Sequence, residues 1–144
     1  MNTLCELTQR YAPLLGRFLI TFLFFRSAFG KIANFSGAAG GMAAKGMPYA
    51  EVFLVGAIAF EIVGSLCVLL GWKARWGALA LLIFLVPATL IFHNFWAIDP
   101  AQMRELTNQT NHFFKNLTIM GALVFIIGMG PGPLSLSDDK GKKH

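Results

Sequence analysis

The stretch that decides the fold runs from Tyr49 to Leu70 and reads YAEVFLVGAIAFEIVGSLCVLL. It is largely apolar, and its charged residues are two glutamates, Glu51 near its start and Glu61 in its middle. A stretch of this length can cross the roughly 30 Å hydrocarbon core of a bilayer as one helix. A carboxylate in the middle of such a helix costs on the order of 2.5–3.5 kcal/mol, so Glu61 is expected to have a partner or a function.

Apolar segments of similar length occur three more times, which predicts an all-α membrane protein, a bundle of four transmembrane helices. Hydrophobic residues make up 56% and charged residues 13% of the 144 residues, against about 45–50% and 25% in soluble domains. Residues 1–135 are predicted to form one domain, and residues 136–144 a polar, basic tail. The predicted spans are 13–33, 48–70, 74–96 and 112–129.

The distribution of basic residues predicts the orientation of the bundle. With four spans, both termini lie on one side, and that side carries most of the basic residues, including Arg17, Lys73 and Arg75. The positive-inside rule therefore places both termini in the cytoplasm and the loops after the first and third spans outside. This distribution also accounts for the net charge of +5, so no nucleic-acid partner is expected.

An internal repeat pairs Glu61–Gly71 with Thr118–Gly128, each with two glycines seven residues apart. A repeat of this kind predicts that the four spans form two helical hairpins, related by an axis along the membrane normal. A chance similarity between two apolar helices is the alternative. The glycine-rich segment 37–41 is not followed by Gly-Lys-Ser/Thr, so we expect a flexible connector there and not a phosphate-binding loop.

Two polar residues inside the bundle are candidates for chemistry. Arg17 lies early in the first span, and a rise of about 1.5 Å per residue brings it near the level of Glu61. A hydrogen-bonded pair of these residues would either lock the first two spans together or handle protons or substrate. We therefore take Glu61 and Arg17 as the candidate catalytic residues and leave the structural role open.

A second polar group gathers at the predicted outer ends of the spans, and it is the candidate ligand site; within it His112, Lys115 and Asn116 share one helical face. His93 and Lys115 are expected to donate hydrogen bonds to a ligand, with Trp96 as a stacking wall, which would suit a quinone head group. An ordinary interfacial belt of the same residue types is the alternative. The histidines lack H-x-x-x-H or H-E-x-x-H spacing, so no metal site is expected. The candidate ligand-binding residues are His93, Lys115, Trp96, Asn116, Lys31 and Arg26.

The ordered set of these motifs resembles the DoxX family of small four-helix membrane proteins. The resemblance runs from about Gly16 to Gly128. Ser27-Ala28 departs from the Ser-Gly that more often precedes Gly-x-x-Lys in that family. The motifs are Gly16-Arg17, Phe29-Gly30-Lys31-Ile32, Gly46-Met47-Pro48, Glu61-Ile-Val-Gly64, Gly71, Phe92-His93-Asn94-Phe95-Trp96 and Phe114-Lys115-Asn116-Leu117 with Gly121.

The resemblance, together with the predicted orientation, implies a multi-pass protein of the bacterial inner (plasma) membrane. Family members are similar to the small subunit of an archaeal thiosulfate:quinone oxidoreductase, and one is linked to a membrane complex coupling thiol metabolism with superoxide detoxification. The leading hypothesis is a subunit of an oxidoreductase system without a covalently bound cofactor, which contacts a quinone or a soluble or membrane redox subunit at its outer face. Whether the chain is itself an enzyme stays open.

Two other functions fit the same residues. One is a non-enzymatic membrane scaffold that recruits soluble redox or stress proteins. The other is a small proton-coupled transporter that works as a homo-oligomer, since glycines on helix faces permit helices to associate in a bilayer.

Overall fold

A computed structural model describes residues 3–136, which contain helices and no β-strand. Of these helices, α1, α3, α4 with the turn that follows it, and α5 are long and apolar enough to cross a membrane. The prediction of an all-α protein with four membrane-spanning helices is therefore confirmed. Of the predicted basic tail, residues 137–144 lie outside the described residues. The elements are α1 (Thr3–Ala33), α2 (Phe35–Ala44), α3 (Ala50–Leu70), α4 (Ala74–Phe92), a 3-10 turn (Phe95–Ala97) and α5 (Met103–Met129).

Two spans begin earlier than the sequence predicts. Helix α1 starts at Thr3 and continues through Pro13, and α5 starts at Met103 and not at residue 112. Pro13 has no N–H to donate to the carbonyl group of Gln9, but the helix continues on both sides of it. The polar residues that precede each apolar segment therefore extend the helix and do not form a loop.

The long helices pack in the order α1, α3, α4, α5. Side chains from all four of them meet in one buried core along the bundle. Their outward faces carry large exposed apolar side chains, such as Phe22, Val63 and Ile83, as is typical of helices that face lipid. The core residues are Phe24, Val68, Ala74, Ala78, Leu81, Leu85, Leu123 and Ile126.

Two glycines set the close approach of α3 and α4. A Cβ atom on Gly77 would lie 2.6 Å from Cβ of Cys67 and 2.8 Å from the carbonyl oxygen of Gly64. The absence of side chains at Gly64 and Gly77 therefore lets the two backbones come into contact. Gly121, which corresponds to Gly64 in the predicted repeat, has nothing within 4 Å of the place where a Cβ would lie. Gly64 and Gly121 therefore have different surroundings, and the repeat stays a prediction.

The glycine-rich segment is helical, and the prediction of a flexible connector there is wrong. Helix α2 (Phe35–Ala44) buries Ala39 and Met42 against Leu54 of α3. A glycine in a helix costs about 1 kcal/mol relative to alanine. Burial of the apolar side chains of α2 against α3 offsets that cost, because tertiary packing contributes most of the stability of a short helix.

Replacement of Gly77 by alanine should destabilise the bundle by about 1–3 kcal/mol, because the new methyl group must displace Cys67 and the α3 backbone. The matched control is Gly121→Ala, which adds the same group where nothing lies within 4 Å. Thermal unfolding in mild detergent, followed by circular dichroism, should give a lower midpoint for Gly77→Ala alone. Equal midpoints for the two variants would contradict a tight α3–α4 contact.

Candidate functional site

The polar residues inside the bundle form two groups at opposite ends. We call the end where α1 and α4 finish the histidine end, because His93 and His112 lie there. The opposite end, where α3 finishes beside Arg17, is the arginine end. The orientation predicted from the sequence would place the histidine end outside the cell.

Arg17 does not contact Glu61, and the predicted pair of these residues is wrong. The Arg17 guanidinium donates hydrogen bonds to the carbonyl oxygens of Leu69 (3.1 Å), Pro133 (3.1 Å) and Leu134 (2.8 Å). Leu69 lies eight residues beyond Glu61 on α3, which is a rise of about 12 Å. The last four carbonyl groups of a helix have no partner inside it, so the arginine satisfies one at the end of α3. Arg17 thus joins α1 to α3 and to the segment after α5.

Glu61 pairs with Lys31, which the sequence had placed in the ligand site. The Lys31 ammonium nitrogen lies 3.0 Å from Oε1 and 2.9 Å from Oε2 of Glu61, and it also donates to Ser27 Oγ at 2.6 Å. Because helical side chains lean toward the N-terminus of their helix, Lys31 reaches back over Ser27, one turn earlier on α1. The Glu61 side chain is 2% exposed and that of Lys31 25%. The carboxylate is therefore buried, and the ammonium group approaches it from a more open side.

A cavity of about 680 Å³ lies at the histidine end; we call it the polar cavity. Residues from α1 to α5 line it. Five of the six candidate ligand-binding residues are among them, so the structure brings together side chains that are far apart in the sequence. Glu61 also lines the polar cavity, which joins one candidate catalytic residue to this group. The polar and charged lining residues are Arg26, Ser27, Lys31, Lys45, Glu61, His93, His112, Lys115 and Asn116.

Trp96 is the candidate that does not line the polar cavity. Helix α4 ends at Phe92, so Trp96 does not continue the helical face that carries His93. It lies on the 3-10 turn, is 58% exposed, and packs edge-on against Phe95 and Phe113 at ring-centre distances of 5.3 and 5.7 Å. Contrary to the prediction, its ring is not a wall of this cavity.

Two histidines stack on one wall of the polar cavity. The rings of His93 and His112 have centres 5.1 Å apart and planes 16° apart. The Lys115 ammonium nitrogen lies 3.1 Å from Nδ1 of His112. An ammonium group can only donate, so Nδ1 accepts and the ring proton of His112 lies on Nε2. The sequence places His112 in the outer polar group, three residues before Lys115 on the same helical face, but not among the six candidate ligand-binding residues.

A chain of hydrogen bonds orients His93. Glu105 Oε1 accepts from the amide nitrogen of Gln109 at 2.7 Å, and the amide oxygen of Gln109 lies 2.7 Å from Nδ1 of His93. A carboxylate accepts hydrogen bonds, so the nitrogen of Gln109 faces Glu105 and its oxygen faces His93. Nδ1 of His93 is then the donor, so Nε2 of the neutral ring can only accept a hydrogen bond from a ligand and does not donate one as the sequence predicts. No local pattern in the sequence marked Gln109.

Asn116 connects two helices beside the polar cavity. Its side-chain nitrogen donates to the hydroxyl oxygen of Thr89 at 3.0 Å, and both side chains are buried. Asn116 therefore holds α5 against α4 while it lines the cavity.

An apolar groove of about 400 Å³ adjoins the polar cavity, between α3 and α4. The residues that line this groove include Val52, Phe53 and Ile83, whose side chains are exposed, so the groove opens on the surface that faces lipid. Polar and apolar spaces are thus adjacent and share part of their walls. The shared residues are Met42, Ala57, Phe84, Ala88 and Phe92.

Residues 12–94 match the protein family described as DoxX, a range that includes Arg26, Lys31, Glu61 and His93. The chain is 33% identical to the inner membrane protein YqjF of Escherichia coli, over 90% of this chain and 92% of YqjF. It is 27% identical to the inner membrane protein YphA of the same bacterium, over 85% of this chain and 86% of YphA. A shorter match, 32% identical, covers 57% of this chain and 31% of a Surfeit locus protein 4 homolog of Drosophila melanogaster. No solved structure matches the chain.

The Lys31–Glu61 pair should stabilise the contact between α1 and α3. Lys31→Gln and Glu61→Gln are each expected to lower the free energy of unfolding by about 2 kcal/mol, because each leaves one buried or half-buried charge without its partner. The double variant should lose less than the sum of the two single losses, by about 1–2 kcal/mol. Glu51→Gln, an exposed carboxylate near the start of α3, is the control. Additive losses, measured by thermal unfolding in detergent, would contradict the pair.

Proposed function

The chain belongs to the DoxX family and is a multi-pass protein of the bacterial inner membrane, and on this premise we propose that it is a quinone-binding subunit of an oxidoreductase system. The quinone would bind in the polar cavity at the histidine end. The observation that carries the proposal is that this cavity has a few hydrogen-bonding side chains on apolar walls and adjoins an apolar groove. That combination is typical of sites for small amphipathic molecules.

The polar cavity offers what a quinone head group needs. A quinone ring is flat and apolar, and its carbonyl oxygens accept hydrogen bonds. Lys115 has two ammonium protons left after its bond to His112, and His112 carries a proton on Nε2. Phe84 and Phe92 supply apolar surface beside these donors.

The apolar groove accounts for the tail of such a ligand. Phe84 and Phe92 form part of both spaces, so a head group in the polar cavity could continue into the groove. Burial of an apolar tail there is favourable by roughly 25 cal/mol per Å² when the tail leaves water, and less when it leaves lipid. In this proposal the chain binds and orients the quinone, and a partner redox subunit delivers the electrons.

Purified protein should carry quinone at close to one molecule per chain, measured after extraction with organic solvent. The double variant His93→Ala, Lys115→Ala should lose most of it, because both side chains line the polar cavity. Trp96→Ala is the control, since Trp96 lies outside the cavity and should be dispensable for retention. Quinone no higher than the lipid background in all three proteins would contradict the proposal.

A proton-coupled transporter is the second candidate, and the observation that favours it is the buried carboxylate of Glu61 on the cavity wall. A carboxylate within a membrane span is a common element of proton pathways. Proteoliposomes in a proton gradient would then take up an anionic probe such as carboxyfluorescein, and Glu61→Gln would abolish this uptake while Glu51→Gln would not. No gradient-dependent uptake by the parent protein would count against this candidate.

A further inference from the structure

The polar cavity holds more positive than negative charge. Four cationic side chains line it, and Glu61 is its one acidic lining residue. Lys31 and Glu61 neutralise each other at 2.9 Å. Three cations, Arg26, Lys45 and Lys115, are therefore left without a charge partner on the cavity wall.

The three remaining cations come from three parts of the fold. Arg26 lies on α1, Lys45 caps the C-terminal end of α2, and Lys115 lies on α5. Within residues 3–136, the pair of Lys31 and Glu61 is the one salt bridge. Like charges around one cavity of a membrane protein repel each other more strongly than they would in bulk water, because the effective dielectric constant there is lower. An anion bound among them would remove this cost.

We propose that the ligand of the polar cavity is an amphiphile with an anionic head group, and that Arg26, Lys45 and Lys115 are its charge partners. The inference rests on the proposed function for the location of the site, and it adds the charge of the ligand. A neutral quinone would use the hydrogen-bond donors of the cavity but leave the three cations unbalanced. A carboxylate, a phosphate or an ionised ring hydroxyl would accept hydrogen bonds from the donors and also balance the charge of the cations.

The surroundings of the three cations fit this role. Arg26 and Lys45 are exposed, and their long side chains can bring the charged groups to the rim of the cavity while the stems cover apolar surface. Lys115 is held on the wall by His112. The adjoining apolar groove would take the tail of the amphiphile. Such a ligand can be a phospholipid of the bilayer or an acidic lipid-soluble quinone, and both share a negative charge on an apolar body.

The test compares two naphthoquinones with the same alkyl tail, one of which carries a ring hydroxyl that is ionised at mildly alkaline pH. Equilibrium dialysis of the full chain in a non-ionic detergent gives the dissociation constant of each. The anionic compound should bind at least roughly tenfold more tightly than the neutral one, because charge-assisted hydrogen bonds are the stronger ones. Added salt should reduce this preference, since it screens charges at the rim of the cavity.

Variants locate the preference. Arg26→Gln and Lys45→Gln should each reduce the ratio of the two affinities by roughly threefold to tenfold, in the range of a single charged hydrogen bond. Lys73→Gln is the matched control, because Lys73 lies at the arginine end and does not line the polar cavity. Both cavity variants remove exposed side chains, so the thermal midpoint should stay that of the parent. If the ratio of the two affinities is the same in Arg26→Gln and in Lys45→Gln as in the parent protein, the inference is overturned.

A competition experiment distinguishes a phospholipid of the bilayer from an acidic quinone as the ligand. Displacement of the anionic naphthoquinone by phosphatidylglycerol, and not by phosphatidylcholine, would support the inference and name bilayer lipid as the source. Equal affinities of the two naphthoquinones would overturn the inference and leave the proposed quinone site intact. Binding of phosphatidylglycerol alone, lost in Lys45→Gln, would support an anionic site and overturn the quinone proposal. Binding of none of these compounds would overturn both.

Discussion

A polar group inside a bilayer has no water to bond to, and this constraint governs how the four spans are arranged. Its clearest expression is the buried carboxylate of Glu61, which is held by the ammonium group of Lys31. The same need places the Arg17 guanidinium against three carbonyl oxygens at the other end of the bundle. Each of these contacts joins elements that are distant in the sequence. The contacts that give these buried polar groups their partners therefore also hold the helices of the bundle together.

The site depends on these structural contacts. The bond between Lys31 and Glu61 fixes α1 against α3 and takes one cation and the single carboxylate out of the charge balance of the polar cavity. Helix α2, packed on α3 by Met42 and Ala39, contributes Lys45 at the cavity. The cavity is positive as a result, and its character as a site for an amphiphile follows from the fold and not from any single motif.

The spans could be predicted because their signal is local. Length and hydropathy of a segment decide whether it can cross a bilayer, and they are read directly from residues such as Tyr49–Leu70. Partners could not be predicted in the same way. Arg17 and Lys31 are both basic residues of α1, and the choice between them for Glu61 depends on where α1 begins and how it packs on α3. Trp96 was misplaced because α4 ends at Phe92, before the 3-10 turn.

The sequence by itself determined the class of the protein, its four membrane spans, its family resemblance and most of the residue types of its site. These properties depend on composition and on the order of residues along one segment. Only the tertiary structure decided that Lys31 holds Glu61, that the glycine-rich segment is a helix, and that Lys45 joins the polar cavity. Those outcomes depend on which side chains meet across helices, and contact energies between distant segments leave no pattern within either segment.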